Sequence, residues 1–145
     1  IQWHVLGMFA PSFVTGSIIK RMGVLNVLWL GTVLLILAAL VDLSGLGFWN
    51  FWAGLVLLGI GWNFLFVGGS TLLTEAYDPA EGSKVQGLND FLIFGTVALS
   101  SLASGALHSA FGWTAVNYGV LPLLAIPLAA TLWLMSRRRQ AAPAE

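Results

Sequence analysis

Asn63 lies between Trp62 and Phe64 in the apolar stretch Gly59–Tyr77, "GIGWNFLFVGGSTLLTEAY". A carboxamide both donates and accepts, so two uses are open to it: holding a polar group of a ligand, or tying two helices together. Trp62 beside it offers a flat face for a ligand to stack on, or ordinary packing surface. Near the start of the chain Gln2 and His4 are placed to line an entrance. An imidazole is a chemical type suited to proton carriage, although a wetted interfacial position explains a lone histidine as well. Further on, Asn89 and Asp90 open an apolar run, where a carboxylate is favoured by the helix dipole and caps exposed amides. The other reading has them guarding the mouth of a transport path, with Asp90 carrying a proton. These six residues are the candidates for a substrate path.

Other chemistry is excluded more simply. The chain has no cysteine, hence no disulfide, thiolate metal site or thiol nucleophile. His4 and His108 form no cluster with metal-ligand spacing, and "GGST" lacks the strand and Lys-Ser/Thr of a phosphate loop. Glu75 and Glu81 have no partner that would make them a catalytic pair. Neither an enzyme nor a metal or cofactor site is expected, and no basic stretch argues for nucleic acid.

The elements that must position these residues follow from composition. Of 145 residues 58% are hydrophobic and only 8% charged, against about a quarter in soluble domains. The mean hydropathy is +0.88. An all-α polytopic membrane protein is therefore expected. Five apolar runs approach the roughly 20 residues a bilayer crossing needs: about 1–19, 24–41, 48–73, 88–107 and 113–135. Pro11 should bend the first helix, and Pro122 with Pro127 the last. The membrane domain would span 1–135, followed by a polar tail over 136–145. Because the chain opens on Ile1 inside an apolar run, it is expected to be a fragment.

Charge placement orients the spans. Lys20 and Arg21 follow the first, Lys84 lies between the third and fourth, and Arg137, Arg138 and Arg139 follow the fifth, so all six cations fall on one side. The connections on the other side, "DLSGLG" and "HSAFG", contain none. By the positive-inside rule the cationic side is cytoplasmic, with the amino end outside and the carboxyl end inside. Trp49, Trp52, Trp113 and Trp133 fit interfacial belts, whereas Trp29 and Trp62 lie deeper, as packing or cavity residues.

The turn "GSIIKRMG", Gly16 to Gly23, resembles the signature of the major facilitator superfamily, in which a helix exits through Gly-x-x-x-Asp-Arg-x-Gly. Gly16, Arg21 and Gly23 match. Lys20 stands where the family has Asp, and Val24, Leu25 and Asn26 replace the basic residues that follow. The strong form of this turn follows the family's second helix, and a degraded form recurs between the eighth and ninth. "HVLGMFAPSFVTG", "GIGWNFLFVGGSTLLTEAY" and "GLNDFLIFGTVALSSLASGAL" are similar to a bacterial permease branch of the same superfamily. The resemblance implies helices eight to twelve of a twelve-helix transporter in the bacterial cytoplasmic (inner) membrane. Such a transporter moves a small solute by alternating access, with its site between two six-helix halves.

In the family this turn helps latch the two halves together. A Lys in place of Asp reverses the charge and cannot make the same contacts, so the expected role of Lys20 and Arg21 is to fix topology. The expected partners are the lipid bilayer, the missing amino-terminal half or another membrane protein, and a small-molecule substrate. Thr96, Ser100 and Ser104 with Ser101 and Gly105 form a small-residue face, and Gly54, Gly59, Gly61, Gly68 and Gly69 narrow the third span for close packing. A different class of function also fits: a truncated permease-like subunit with a structural or assembly role in a larger membrane complex.

Overall fold

A computed structural model describes residues 1–141, and the regular structure in them is entirely helical. There are five α-helices: α1 (Gln2–Phe9), α2 (Ser12–Met22), α3 (Val24–Ser44), α4 (Phe48–Leu73) and α5 (Gly82–Ala141), with a 3₁₀ turn at Pro79–Glu81 before the last. Of these, α3, α4 and the stretch containing α5 are long and apolar enough to cross a membrane.

The first expected span is divided. Pro11 has no N–H to offer the carbonyl of Gly7, so the ladder stops at Phe9 and restarts at Ser12, with Pro11 still in helical conformation (φ −64°, ψ −22°). α1 and α2 follow one another through this break. The chain then turns at Gly23, whose φ of 84° and ψ of 149° lie in a region open to glycine alone among common residues. This gives a physical reason for glycine at the last position of the turn motif. Lys20 and Arg21 project from the last turn of α2 and are exposed, at the end where the dipole favours cations. Gly16 has open space around it.

The fourth and fifth expected spans appear as two limbs of α5. Only Gly112, with φ 80° and ψ 178°, departs from helical geometry between them. Along a straight helix Thr96 and Leu123 would be roughly 40 Å apart, yet both line one groove. The chain therefore reverses at Gly112, and the expected loop 108–112 is reduced to one residue. The fourth helix also begins at Gly82 and not near 88, because Ser83, Lys84 and Gln86 continue a helix beyond the apolar layer as readily as apolar residues do. At the other end, helix continues past 135 to Ala141. Most of the expected 136–145 tail is thus helical, and residues 142–145 lie outside the described residues.

Two glycine crossings hold the bundle together. A Cβ on Gly59 would lie 3.0 Å from Gly7 Cα and overlap the His4 carbonyl, while one on Gly31 would lie 2.9 Å from Phe64 Cβ and 3.1 Å from the Gly61 carbonyl. Such small residues let α4 pack backbone against backbone with α1 on one side and α3 on the other. At the cation-bearing end Val24, Leu25 and Leu28 form a core with Ile19, Leu65, Leu72, Leu134 and Met135. Arg138 pairs with Glu75 at 2.5 Å across the same end. At the opposite end Asn50 donates to the Val41 carbonyl at 3.3 Å, and Trp113 Nε1 to the Asp42 carbonyl at 3.2 Å. The small-residue face of the first limb of α5 packs differently from expectation. Thr96, Ser100, Ser101 and Ser104 are exposed, and among the described residues no other element comes within 4 Å of a Cβ built at Gly95 or Gly105.

Candidate functional site

Asn63 is 2% exposed and uses its whole carboxamide within the protein. Its Nδ2 donates to the Met8 carbonyl at 2.7 Å and to Ser12 Oγ at 2.6 Å. Its Oδ1 accepts from Thr15 Oγ1 at 2.6 Å, and that hydroxyl, itself fully buried, also lies 2.8 Å from the Pro11 carbonyl. The proline break leaves carbonyls at the end of α1 and polar groups at the start of α2 in need of partners. A single amide on α4 supplies both sides of the break. Of the two uses open to Asn63, the geometry gives it the tie between helices. Ser12 and Thr15, three residues apart and one helical turn beyond Met8, share the face that meets it.

This arrangement leads to an expected result. Asn63→Ala leaves Met8, Ser12 and Thr15 without that partner, and should lower the stability of the full-length protein by about 2 kcal/mol, slightly above the range for one interhelical bond. Uptake per folded molecule should change little. Thermal melting and uptake measured on the same preparation check this, and an unchanged melt with lost uptake would remove the tie.

Trp62, one residue earlier and about 100° around the helix, lines a groove of about 680 Å³ with His4 and Met8 of α1, Leu58 of α4, Thr96, Val97, Ser100 and Ser101 of the first limb, and Leu123 and Leu124 of the second. His4 is half-buried, and its Nδ1 is enclosed without a hydrogen-bond partner among the described residues. The groove continues toward the cation-bearing end through Trp62, Ile93, Thr96 and Asn89, and on past Phe66, Gly69 and Ser70. Trp62 stacks on Phe66 one turn below it, with centroids 6.0 Å apart and planes 18° from parallel. Phe94 of the first limb of α5 packs on Phe66, 6.1 Å between centroids, without lining the groove itself. The wall therefore presents an aromatic strip flanked by hydroxyls and one imidazole.

The remaining candidates divide. Asn89 lines the groove and donates to Asp90 Oδ1 at 3.3 Å. With α5 starting at Gly82, both residues sit more than a turn inside the helix, so Asp90 does not cap its first turn. Asp90 is half-buried beside the groove and does not line it. Gln2 is exposed at the first residue of α1 and lies outside the groove. The sequence had not pointed to Phe66, Phe94 or Leu123. Phe66 follows Trp62 at the i,i+4 spacing that stacks rings on one helix face, which is the signal that was there to read. Leu123 reaches the groove, and Phe94 the Phe66 ring, only through tertiary packing.

The comparisons with known proteins bear on what such a wall belongs to. The model of the Major Facilitator Superfamily matches residues 3–145. The chain is 44% identical over 144 residues to the riboflavin transporter RfnT of Brucella anthropi, covering 99% of this chain and 36% of that protein. It is 32% identical over 141 residues to the uncharacterized MFS-type transporter YdeG of Bacillus subtilis, covering 94% of this chain and 32% of the relative. It is likewise 32% identical to YddS of the same organism, also an uncharacterized MFS-type transporter, over 98% of this chain and 33% of the relative. The chain thus spans about a third of the length of the curated relatives it matches. No solved structure matches it.

Proposed function

Because the chain belongs to the major facilitator superfamily, we propose that it forms one wall of a solute path in a secondary transporter of the bacterial cytoplasmic membrane, and that its solute is a planar heterocycle of the riboflavin type. The family and the apolar helices make it a membrane protein. The observation that carries the solute class is the aromatic strip of Trp62 stacked on Phe66, with His4, Thr96 and Ser100 beside Trp62. A ring system such as isoalloxazine stacks on an aromatic face, and a hydroxylated side chain exchanges hydrogen bonds with hydroxyls and imidazole. The groove volume falls within the usual range for small-molecule sites, and its open side leaves room for a second wall from the rest of the transporter. The similarity to a riboflavin transporter supports the same reading.

The proposal extends to orientation. The cation-bearing end faces the cytoplasm, so α1 begins outside and α5 ends inside, corresponding to helices eight to twelve of the family. The structure supports this by gathering Lys20, Arg21, Lys84 and Arg137–Arg139 at one end of the bundle. Two measurements test it in the full-length protein. Radiolabelled riboflavin uptake into a strain unable to make the vitamin should exceed the vector control, and unlabelled riboflavin should compete. Absence of flavin uptake from a protein present in the membrane would reject the solute class. Reporter fusions at Gly23 and Lys84 should read cytoplasmic and a fusion in the Gly45–Gly47 turn external; the reverse pattern would reject the orientation.

A further inference from the structure

We propose that the cation-bearing end holds a binding site for one anionic phospholipid, in the cleft between the start of α3 and the end of α5. The site rests on the chain's being in a membrane and is independent of the solute. The cleft has a volume of about 610 Å³ and is lined by Asn26 and Trp29 of α3 and by Leu132, Met135, Ser136, Arg139 and Gln140 of α5. Its chemistry is graded along the helix axes. Leu132, Met135 and the Trp29 ring, 41% exposed, lie deeper along α3 and α5 and offer apolar surface to an acyl chain. Asn26, Ser136, Arg139 and Gln140 lie toward the helix ends. Ser136 Oγ donates to the Trp133 carbonyl at 2.7 Å and Asn26 Nδ2 donates one hydrogen to the Met22 carbonyl, so the donors facing a phosphate are the Arg139 guanidinium, the Gln140 amide and the second Asn26 N–H.

The neighbouring arginines are engaged elsewhere: Arg138 pairs with Glu75, and the Arg137 guanidinium stands over the Trp133 ring at 5.5 Å. Arg139 is the arginine of the three that lines the cleft. Charge complementarity, together with the polar-over-apolar grading, therefore selects an anionic lipid over a zwitterionic one or a protein segment. A basic pocket between membrane helices, at the end where the cations collect, is the setting in which such headgroups are held. The occupant would bridge α3 to α5 at the level where Leu25 and Leu28 already meet Leu134 and Met135.

Trp29 supplies its own probe. The full-length protein is reconstituted in phosphatidylcholine vesicles carrying a minor fraction of either brominated phosphatidylglycerol or brominated phosphatidylcholine. The fluorescence component lost in Trp29→Phe is then followed. Brominated phosphatidylglycerol should quench that component with an apparent affinity about fivefold above that of brominated phosphatidylcholine, the effect of one cation near an anionic surface. Arg139→Gln should remove the preference and Asn26→Ala weaken it, while added inorganic phosphate should leave it in place. Native mass spectrometry of wild type and Arg139→Gln gives a second reading that does not need the Trp29 variant, with fewer phosphatidylglycerol molecules retained by Arg139→Gln. Equal quenching by the two lipids, a preference that survives Arg139→Gln, or displacement by free phosphate would overturn the proposal. Absence of quenching by either lipid would overturn it too, because the cleft would then be covered by protein.

Discussion

Gly59→Val in the full-length protein is expected to melt well below wild type, with a loss of roughly 3 kcal/mol, at the top of the range for overpacking a close contact. The reason is what a side chain there would meet. Its Cβ would fall on the backbone of α1, at the His4 carbonyl and Gly7 Cα, and backbone cannot rotate aside as a side chain can. Relief requires α1 to withdraw from α4, which also pulls Met8 and Ser12 away from Asn63. Gly69→Ala on the same helix is the control, because among the described residues no other element comes within 4 Å of a Cβ at that position. It should be neutral or slightly stabilising, since alanine is the better helix former by up to about 1 kcal/mol. Matching melting curves for Gly59→Val and wild type would mean that α1 and α4 do not cross at these glycines.

Trp62→Ala carries the largest expected effect on transport. Stacking contributes about 0.5–1.5 kcal/mol beyond simple burial, which converts to as much as about tenfold in affinity, and loss of the ring's apolar area adds to it. KM for riboflavin uptake should therefore rise by tenfold or more, while abundance in the membrane stays near wild type because the ring faces a groove and fills no core position. Trp62→Phe keeps an aromatic face and should recover most of the loss. If Trp62→Ala imports riboflavin with an unaltered KM, the aromatic strip is not where the solute stacks. That outcome would leave Asn63→Ala unaffected, since Trp62 and Asn63 point to different sides of α4.

The same contrast shows what a sequence can and cannot carry. The all-helical class and the apolar runs were legible because a bilayer demands long apolar segments, and the cations mark one end of them. Helix ends were not, since α5 begins at Gly82 among polar residues that project past the apolar layer, and apolarity reports the layer and not the helix. The expected connection 108–112 is five residues long and the structure departs from helix only at its last, Gly112, because nothing in "HSAFG" says that one glycine in an extended positive-φ conformation suffices. Asn63 stood out as an amide in an apolar run. Its use stayed open because the answer depends on which face of α4 meets the proline break, and that is set by the Gly7 and Gly59 crossing. Trp62 and Phe66 share a face by spacing alone, whereas Phe94 meets Phe66 only after the chain has returned through the 3₁₀ turn at Pro79–Glu81 into α5.

The one-residue reversal at Gly112 also bears on how the protein is made. Two apolar helices joined without a loop can leave the translocon as a single hairpin, and in the proposed orientation its tip is the part that must cross the bilayer. That tip, Ser109 to Trp113, carries no charged residue, whereas each Lys, Arg or Asp drawn to the bilayer centre costs about 2.5–3.5 kcal/mol. In that orientation Lys84 at one open end and Arg137–Arg139 at the other stay on the side of synthesis. Biogenesis and the finished fold thus place the same demand on residue 112: a reversal small and uncharged enough to pass through lipid before there is any partner helix to shelter it.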